Sequence, residues 1–317
     1  MKIENGSGRI LVVAFKYNDI LYALGTTEYQ SSTYKKLVVF YIEGRNPKDF
    51  PLQDAFDEVV YVKYLDGIKN LWRNLIKIKS MQWDCDVLTY SNPILLATKL
   101  ITKLSYAKTV IWLEDGLMNY YPLTDIRFTT SRTLKQAMQA ILRLNDQSVF
   151  DNKLLVTYLL CPNMAVSYWG ELRLLNFDKV LFNNKLLDML SFVEGKKLFI
   201  GQPLYNTAGI SKKIYTHCVN KVISNFKIDY YVPHYGSQNE DIHCEYLNLQ
   251  DYHITFEFLA CAYNFTIYSV NSTLLYSTKK INPKVRSFMV YLNGVDNNIP
   301  ILKNTVNGII NPYESEL

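Results

Sequence analysis

Two short motifs in this chain place ionisable groups where chemistry could be done: Glu114-Asp115-Gly116 and Pro233-His234. Each follows an apolar run that reads as a β-strand, residues 109–113 (TVIWL) and 229–232 (DYYV). In open α/β sheets, ligands bind outside the carboxyl ends of the strands. The first motif offers two carboxylates. Adjacent carboxylates repel, and partial burial lifts one of them toward the range of a general base. Its glycine allows a sharp turn with backbone room for a ligand. The second motif offers an imidazole held by a proline of fixed backbone angle. Such a group can protonate or charge-stabilise a leaving phosphate near neutral pH. Taken singly, each motif also fits a plainer role, an Asp-Gly turn or a half-buried histidine bonded to a loop carbonyl. The two lie 120 positions apart, about one α/β domain of chain. That separation predicts a cleft between two domains, with a base on one wall and a proton donor on the other.

Two further segments sit at strand ends. Asn271-Ser272-Thr273 follows residues 266–269 (TIYS) and opens a helix. Helix-start amides and two hydroxyls make an anion site, although serine and threonine are also preferred as ordinary caps. Gly201-Gln202-Pro203 closes the strand 197–201 (KLFIG), a turn whose amides could approach a nucleotide. No GxGxxG follows the first strand and no GxxxxGK[ST] occurs, which disfavours dinucleotide oxidoreductases and P-loop NTPases. The Asp-x-Asp triplet Asp84-Cys85-Asp86 opens a strand, the wrong edge for a metal–diphosphate site. No metal or other cofactor is expected.

The elements that would carry these motifs alternate. Strands are predicted over 9–16 (RILVVAFK), 36–41, 58–63, 86–90 and 109–113, with helices from Asn18 or Asp19 to about Tyr29 and over 68–81 and 94–104. Residues 117–193 are less regular, with an amphipathic helix at 131–144 and strands at 154–160 and 180–182. A second block runs strand 197–201, helix 211–225, strand 229–232, helix 249–263, strand 266–269 and strand 285–292. Strands spaced by helices imply βαβ units and parallel sheets. The polar stretch Glu194-Gly195-Lys196-Lys197 places the domain boundary between residues 1–193 and 194–317, with the tail 304–317 returning to the first half.

Taken together and in order, the motifs resemble the shared signature of bacterial sialyltransferases: an acidic pair with glycine, a histidine-proline-type motif, then a Ser/Thr phosphate motif. The chain is most similar to glycosyltransferase family 52, which includes lipooligosaccharide and capsule α-2,3-sialyltransferases. The resemblance is carried by residues 198–278, including LFIGQPL, NFKIDYYVPH and TIYSVNSTL, and is thinner around 109–116. It implies a GT-B architecture, two Rossmann-like α/β domains with parallel sheets facing a central cleft. The donor would be CMP-sialic acid, held by the second domain, and the acceptor a galactose-terminated glycan. Transfer would invert the anomeric centre without a metal. By position, Glu114 or Asp115 would be the base and His234 would face the CMP phosphate. Ser272 and Thr273 would bind that phosphate beside Asn271, and Gly201, Gln202 and Pro233 would line the nucleotide pocket. Two departures stand out: His234 is followed by Tyr235 rather than proline, and Leu204 stands where some relatives carry an acidic residue proposed as the base. The alternatives are a related α-glucosyltransferase using a UDP-sugar and a non-catalytic nucleotide- or glycan-binding protein.

Composition bounds the rest. At 317 residues with 49% hydrophobic and 20% charged side chains, the chain suits two globular domains. A net charge of +5 is too small to argue for nucleic acid and is compatible with an anionic substrate or membrane surface. Five scattered cysteines without a CxxC pair fit a reducing compartment. No signal peptide or membrane span is read at the N-terminus. The expected setting is the cytoplasm, with peripheral association at the inner membrane face permitted by the charge. Relatives can dimerise, so a homodimer is compatible. The 25 tyrosines suit either a sugar-binding surface or ordinary strand positions.

Overall fold

The computed structural model describes residues 8–31, 34–40, 55–62, 70–121, 139–144, 149–178, 180, 188–234, 240–252, 254–295 and 299–313. The chain divides into two compact units, Met1–Leu181 and Phe182–Leu317. The first contains β1 (Gly8–Ala14), α1 (Tyr17–Leu24), α2 (Thr27–Gln30), β2 (Tyr34–Phe40), β3 (Glu58–Tyr61) and α3 (Leu71–Lys79). It continues through β4 (Val87–Tyr90), α4 (Leu96–Leu104), β5 (Thr109–Leu113), β6 (Leu154–Leu159) and β7 (Glu171–Leu174). The second contains β8 (Lys197–Ile200), α5 (Leu204–Thr207), α6 (Lys212–Phe226), β9 (Tyr230–Val232), β10 (Glu245–Tyr246) and α7 (Phe256–Ala262). It ends with β11 (Thr266–Ser269), α8 (Leu274–Ile281), β12 (Arg286–Val290), α9 (Pro300–Thr305) and β13 (Gly308–Ile310).

Both sheets are parallel throughout. The first runs β3-β2-β1-β4-β5-β6-β7 and the second β10-β9-β8-β11-β12-β13. Renumbered from its own first strand, the second sheet has the order 3-2-1-4-5-6, and the first has that order plus one edge strand. This is the doubly wound order, in which the winding reverses beside the first strand. The reversal falls between β1 and β4 in one unit and between β8 and β11 in the other. The predicted α/β class with two parallel-sheet domains is what the chain adopts.

The sequence dictates this locally. A parallel strand covered on both faces must be apolar nearly throughout, and in β1 residues Ile10 to Ala14 are all buried. Its register aligns Leu11 with Leu37 on one side and Leu88 on the other. Leu75 and Ile78 of α3 and Leu100 and Ile101 of α4 close over Leu11, Leu88 and Val110. In the second unit Tyr215, Val219 and Val222 of α6 pack against Phe199 and Tyr231. Tyrosine does much of this work: Tyr90, Tyr158, Tyr215, Tyr231 and Tyr276 are among the largest fully buried side chains.

Two predicted helices are broken. The one expected from Asn18 or Asp19 to about Tyr29 is α1 and α2, separated at Gly25-Thr26, where Thr26 is extended and accepts the Tyr29 amide as the cap of α2. The helix expected over 249–263 is a 3-10 turn at Leu249–Tyr252 followed by α7. Thr255 is extended between them, and β-branched Ile254-Thr255 is a poor continuation of a helix. Most of the helix expected at 131–144, and the strand expected at 180–182 beyond Val180, lie outside the described residues. Strands β7, β10 and β13 were not expected, because each is a short edge strand with half-exposed or exposed positions.

Candidate functional site

Because each sheet is parallel, its strands all end at one edge, and every site residue expected from the sequence lies at such an edge. In the first unit, β5 delivers Glu114 and Asp115. Gly116 then turns the chain with φ of 56°, a left-handed angle that glycine takes without strain, into the 3-10 helix Gly116–Tyr120.

The two carboxylates have different surroundings. Glu114 is fully buried. One of its oxygens accepts hydrogen bonds from the Leu160 amide at 2.6 Å and the Tyr120 hydroxyl at 2.7 Å. The Tyr120 oxygen in turn accepts from the Cys161 amide at 3.2 Å. Burial, then the Glu114 charge, pushes the Tyr120 hydroxyl far up, so it remains a donor. Glu114 thus ties β5 to the chain leaving β6. Asp115 is half-buried and pairs with the Lys16 ammonium, while Asn92 Nδ2 donates to it at 3.3 Å. Its own amide donates to Asn119 Oδ1 at 2.9 Å, fixing the turn.

Lys16 and Asn92 each lie two residues past the ends of β1 and β4, the two strands that flank the reversal point, and neither was among the expected site residues. Asp19 joins them. It lies in the first turn of α1, fully buried, and its Oδ2 accepts from the Phe15 and Lys16 amides at 2.7 and 3.1 Å. The sequence suggested Asn18 or Asp19 as a helix cap, and Asp19 caps from inside the first turn by reaching back to the amide that precedes it. Burial raises the Asp19 carboxyl above its ordinary value, opposed by Lys16 and reinforced by Asp115. The signal that could have marked Asp19 is a carboxylate one turn beyond an otherwise apolar first strand.

In the second unit the reversal point lies between β8 and β11. Gly201 follows β8 and its amide donates to the Val232 carbonyl at 2.8 Å. A Cβ there would overlap the Tyr231 hydroxyl and stand 3.2 Å from the Val232 oxygen. The Gln202 amide donates to the Tyr215 hydroxyl at 2.8 Å, and Gln202 Nε2 donates to Ser272 Oγ at 3.2 Å. Ser272 is buried and also accepts from the Leu274 amide at 3.3 Å, while Thr273 is half-exposed at the start of α8. Asn271 takes φ of 55°, which sets the chain into that helix. The structure therefore brings Gln202 and Ser272 into contact, two residues 70 positions apart.

Pro233 and His234 are half-buried after β9. Burial lowers the His234 imidazole below its ordinary 6.5, and the Glu240 charge works against this. Glu240, also not expected, accepts from the Tyr205 hydroxyl at 3.0 Å and from the Tyr231 hydroxyl. Tyr235, one of the two departures, lies outside the described residues. Among the described residues no group of three or more His, Cys, Asp or Glu side chains is placed to hold a metal ion.

No protein-family model matches the chain, and no curated protein matches it. Solved structures do. S. aureus MnaA in a co-structure with UDP superimposes with a TM-score of 0.52 at 11% identity, over 90% of this chain and 79% of that one. The UDP-GlcNAc 2-epimerase of Methanocaldococcus jannaschii gives 0.52 at 11% identity, over 97% and 90%. The spinosyn forosaminyltransferase SpnP gives 0.50 at 11% identity, over 97% and 86%. Likeness at this identity establishes the fold, which is of the GT-B type.

Two substitutions test the geometry. Glu114→Ala strands two buried donors and is expected to cost about 2–5 kcal/mol in chemical denaturation, whereas Glu114→Gln keeps an acceptor oxygen and should lose clearly less. Gly201→Ala forces the β8 turn away from Tyr231 and should cost about 1–3 kcal/mol, with an unchanged denaturation midpoint refuting the close approach.

Proposed function

We propose that this chain is a GT-B glycosyltransferase that takes a nucleotide-sugar donor. Within that class we assign CMP-sialic acid as the donor and a terminal galactose of a bacterial surface glycan, capsule or lipooligosaccharide, as the acceptor. The linkage would be α-2,3, formed with inversion and without a metal. The observation that carries the reading is the Gln202–Ser272 hydrogen bond across the β8/β11 reversal point. It joins the glycine turn to the start of α8, so that main-chain amides and the Thr273 hydroxyl are held at one place suited to a phosphate. The choice of sialic acid rests on the resemblance over residues 198–278.

The first unit would hold the acceptor and the second the donor. The acceptor oxygen bonds to the anomeric carbon of the sugar, and its proton passes to the Asp115 carboxylate. The bond from that carbon to the phosphate oxygen breaks, and the electron pair leaves on the phosphate. Asp115 is the better choice of base because both donors on Glu114 and its complete burial commit that residue to the fold. Lys16 and Asn92 would orient the base. Charge developing on the phosphate would be met by the α8 amides, Thr273 and a His234 N–H. With its pKa lowered, His234 is mostly neutral at pH 7, so it enters as a hydrogen-bond donor and gains a proton only as the anion binds.

A UDP-sugar donor is the second reading, favoured by the UDP in the names of two structural neighbours. Thermal melts with CMP, UDP and their sugar conjugates separate the two. A nucleotide at 100 times its dissociation constant should stabilise by about 2.7 kcal/mol. Response to CMP alone supports the sialyl donor, response to UDP alone transfers the assignment, and response to neither overturns the nucleotide-sugar reading.

Asp115→Asn should lower kcat by about 10²–10⁴-fold while the nucleotide-dependent melt shift persists. Wild-type turnover in that variant would refute the assigned base. A phosphate beside His234 raises the histidine pKa on binding, so donor affinity should strengthen as pH falls toward the imidazole's lowered pKa in the free protein. His234→Gln should flatten that dependence in calorimetric titrations, and an unchanged slope would remove His234 from the phosphate site.

A further inference from the structure

The helix layer over one face of the first sheet has an unusual outer surface. Leu75 and Ile78 of α3, Leu96, Ala97, Leu100 and Ile101 of α4, and Leu144 after them join one core cluster, so these segments form a single layer. On α3 the opposite side carries Trp72 and Ile76, which are 50% and 64% exposed. One turn apart, they stand next to exposed Arg73 and Lys77, with Lys79 at the helix end. Beside α4, Lys103 Nζ donates to the Leu142 carbonyl at 2.9 Å, which seats residues 139–144 against that helix with Ile141 66% exposed.

The charge of this layer is one-sided. Residues 70–80, 96–105 and 139–144 contain Arg73, Lys77, Lys79, Lys99, Lys103 and Arg143, and no Asp or Glu. Those six exceed the formal net charge of +5, so the remainder of the chain sums to −1. A basic surface studded with exposed tryptophan and isoleucine has two partners' worth of chemistry in it. Lys99 is buried, and the exposed Arg73, Lys77, Lys79, Lys103 and Arg143 suit anionic headgroups, each contributing about a fivefold gain in partitioning. Trp72 is the side chain that favours the boundary between headgroups and acyl chains, and isoleucines gain by leaving water. Nucleic acid would use the cations but leave Ile76 and Ile141 without a role. No helix among the described residues is long and apolar enough to cross a membrane, so contact would be peripheral.

We propose that the outer face of the α3–α4 layer docks this protein on an anionic lipid bilayer through Trp72, Ile76, Arg73 and Lys77. The proposal is independent of the reaction the protein performs, because it concerns binding without substrate. The test is co-sedimentation of the full chain with vesicles of phosphatidylcholine alone and with vesicles that also contain phosphatidylglycerol. The protein should sediment with the anionic vesicles, remain in solution with the neutral ones, and be released by salt that screens exposed charges. Arg73→Gln with Lys77→Gln should lower partitioning about thirtyfold, and Trp72→Ser with Ile76→Ser about tenfold. Because these side chains are exposed, melting temperatures should stay near wild type, and either pair suffices if the other is unstable. Equal binding to both vesicle types, no binding to either, wild-type partitioning of both variants, or capture of a single-stranded RNA oligonucleotide in preference to vesicles would each overturn the proposal.

Discussion

The reversal of winding beside β1 and β8 is the constraint on which the rest of the structure depends. Crossovers between parallel strands are right-handed. A sheet built outward in two directions from one strand must therefore send its connections to opposite faces at that point. At the carboxyl edge this leaves a place where no connection covers the strand ends. Turn amides and polar side chains can be present there, in a frame that elsewhere demands unbroken apolar runs. Lys16, Asp19 and Asn92 occupy that place in one unit, and Gly201, Gln202 and Ser272 in the other.

Polar groups at such an edge are costly unless satisfied, and both units gather hydrogen-bond donors around carboxyl groups there. Asp19 gathers two amides of the β1–α1 turn, and Glu114 gathers an amide and a tyrosine hydroxyl behind Asp115. Glu240 gathers two tyrosine hydroxyls beside the Gly201 turn. Several of the buried tyrosines find their explanation here. A tyrosine ring fills core volume as phenylalanine would, while its hydroxyl reaches the polar edge. Tyr231 packs on Phe199 and bonds Glu240, and Tyr215 packs in the same core while accepting the Gln202 amide.

The fold was legible in the sequence where burial is two-sided. Strands β1, β5 and β11 were expected within a residue or two because a parallel central strand leaves a contiguous apolar run, whereas β7, β10 and β13 are short edge strands without that mark. The strand-end motifs were legible for the same reason, since the end of an apolar run points to its polar neighbours. What sequence could not separate was Glu114 from Asp115. Adjacent residues on a strand face opposite sides, and only the fold shows that Leu160 and Tyr120 wait on the side that Glu114 faces. Lys16, Asn92 and Glu240 were illegible because their partners lie at distances along the chain that no local pattern encodes.

The segregated charge of the α3–α4 layer changes what the isoelectric point of about 8.7 means. A basic value ordinarily suggests a molecule attracted to polyanions from any direction. Here the excess belongs to three segments of one layer, and the balance of the chain is nearly neutral and faintly acidic. On a cation-exchange resin the six cations of that layer would therefore supply the net attraction, because the remainder of the chain sums to −1.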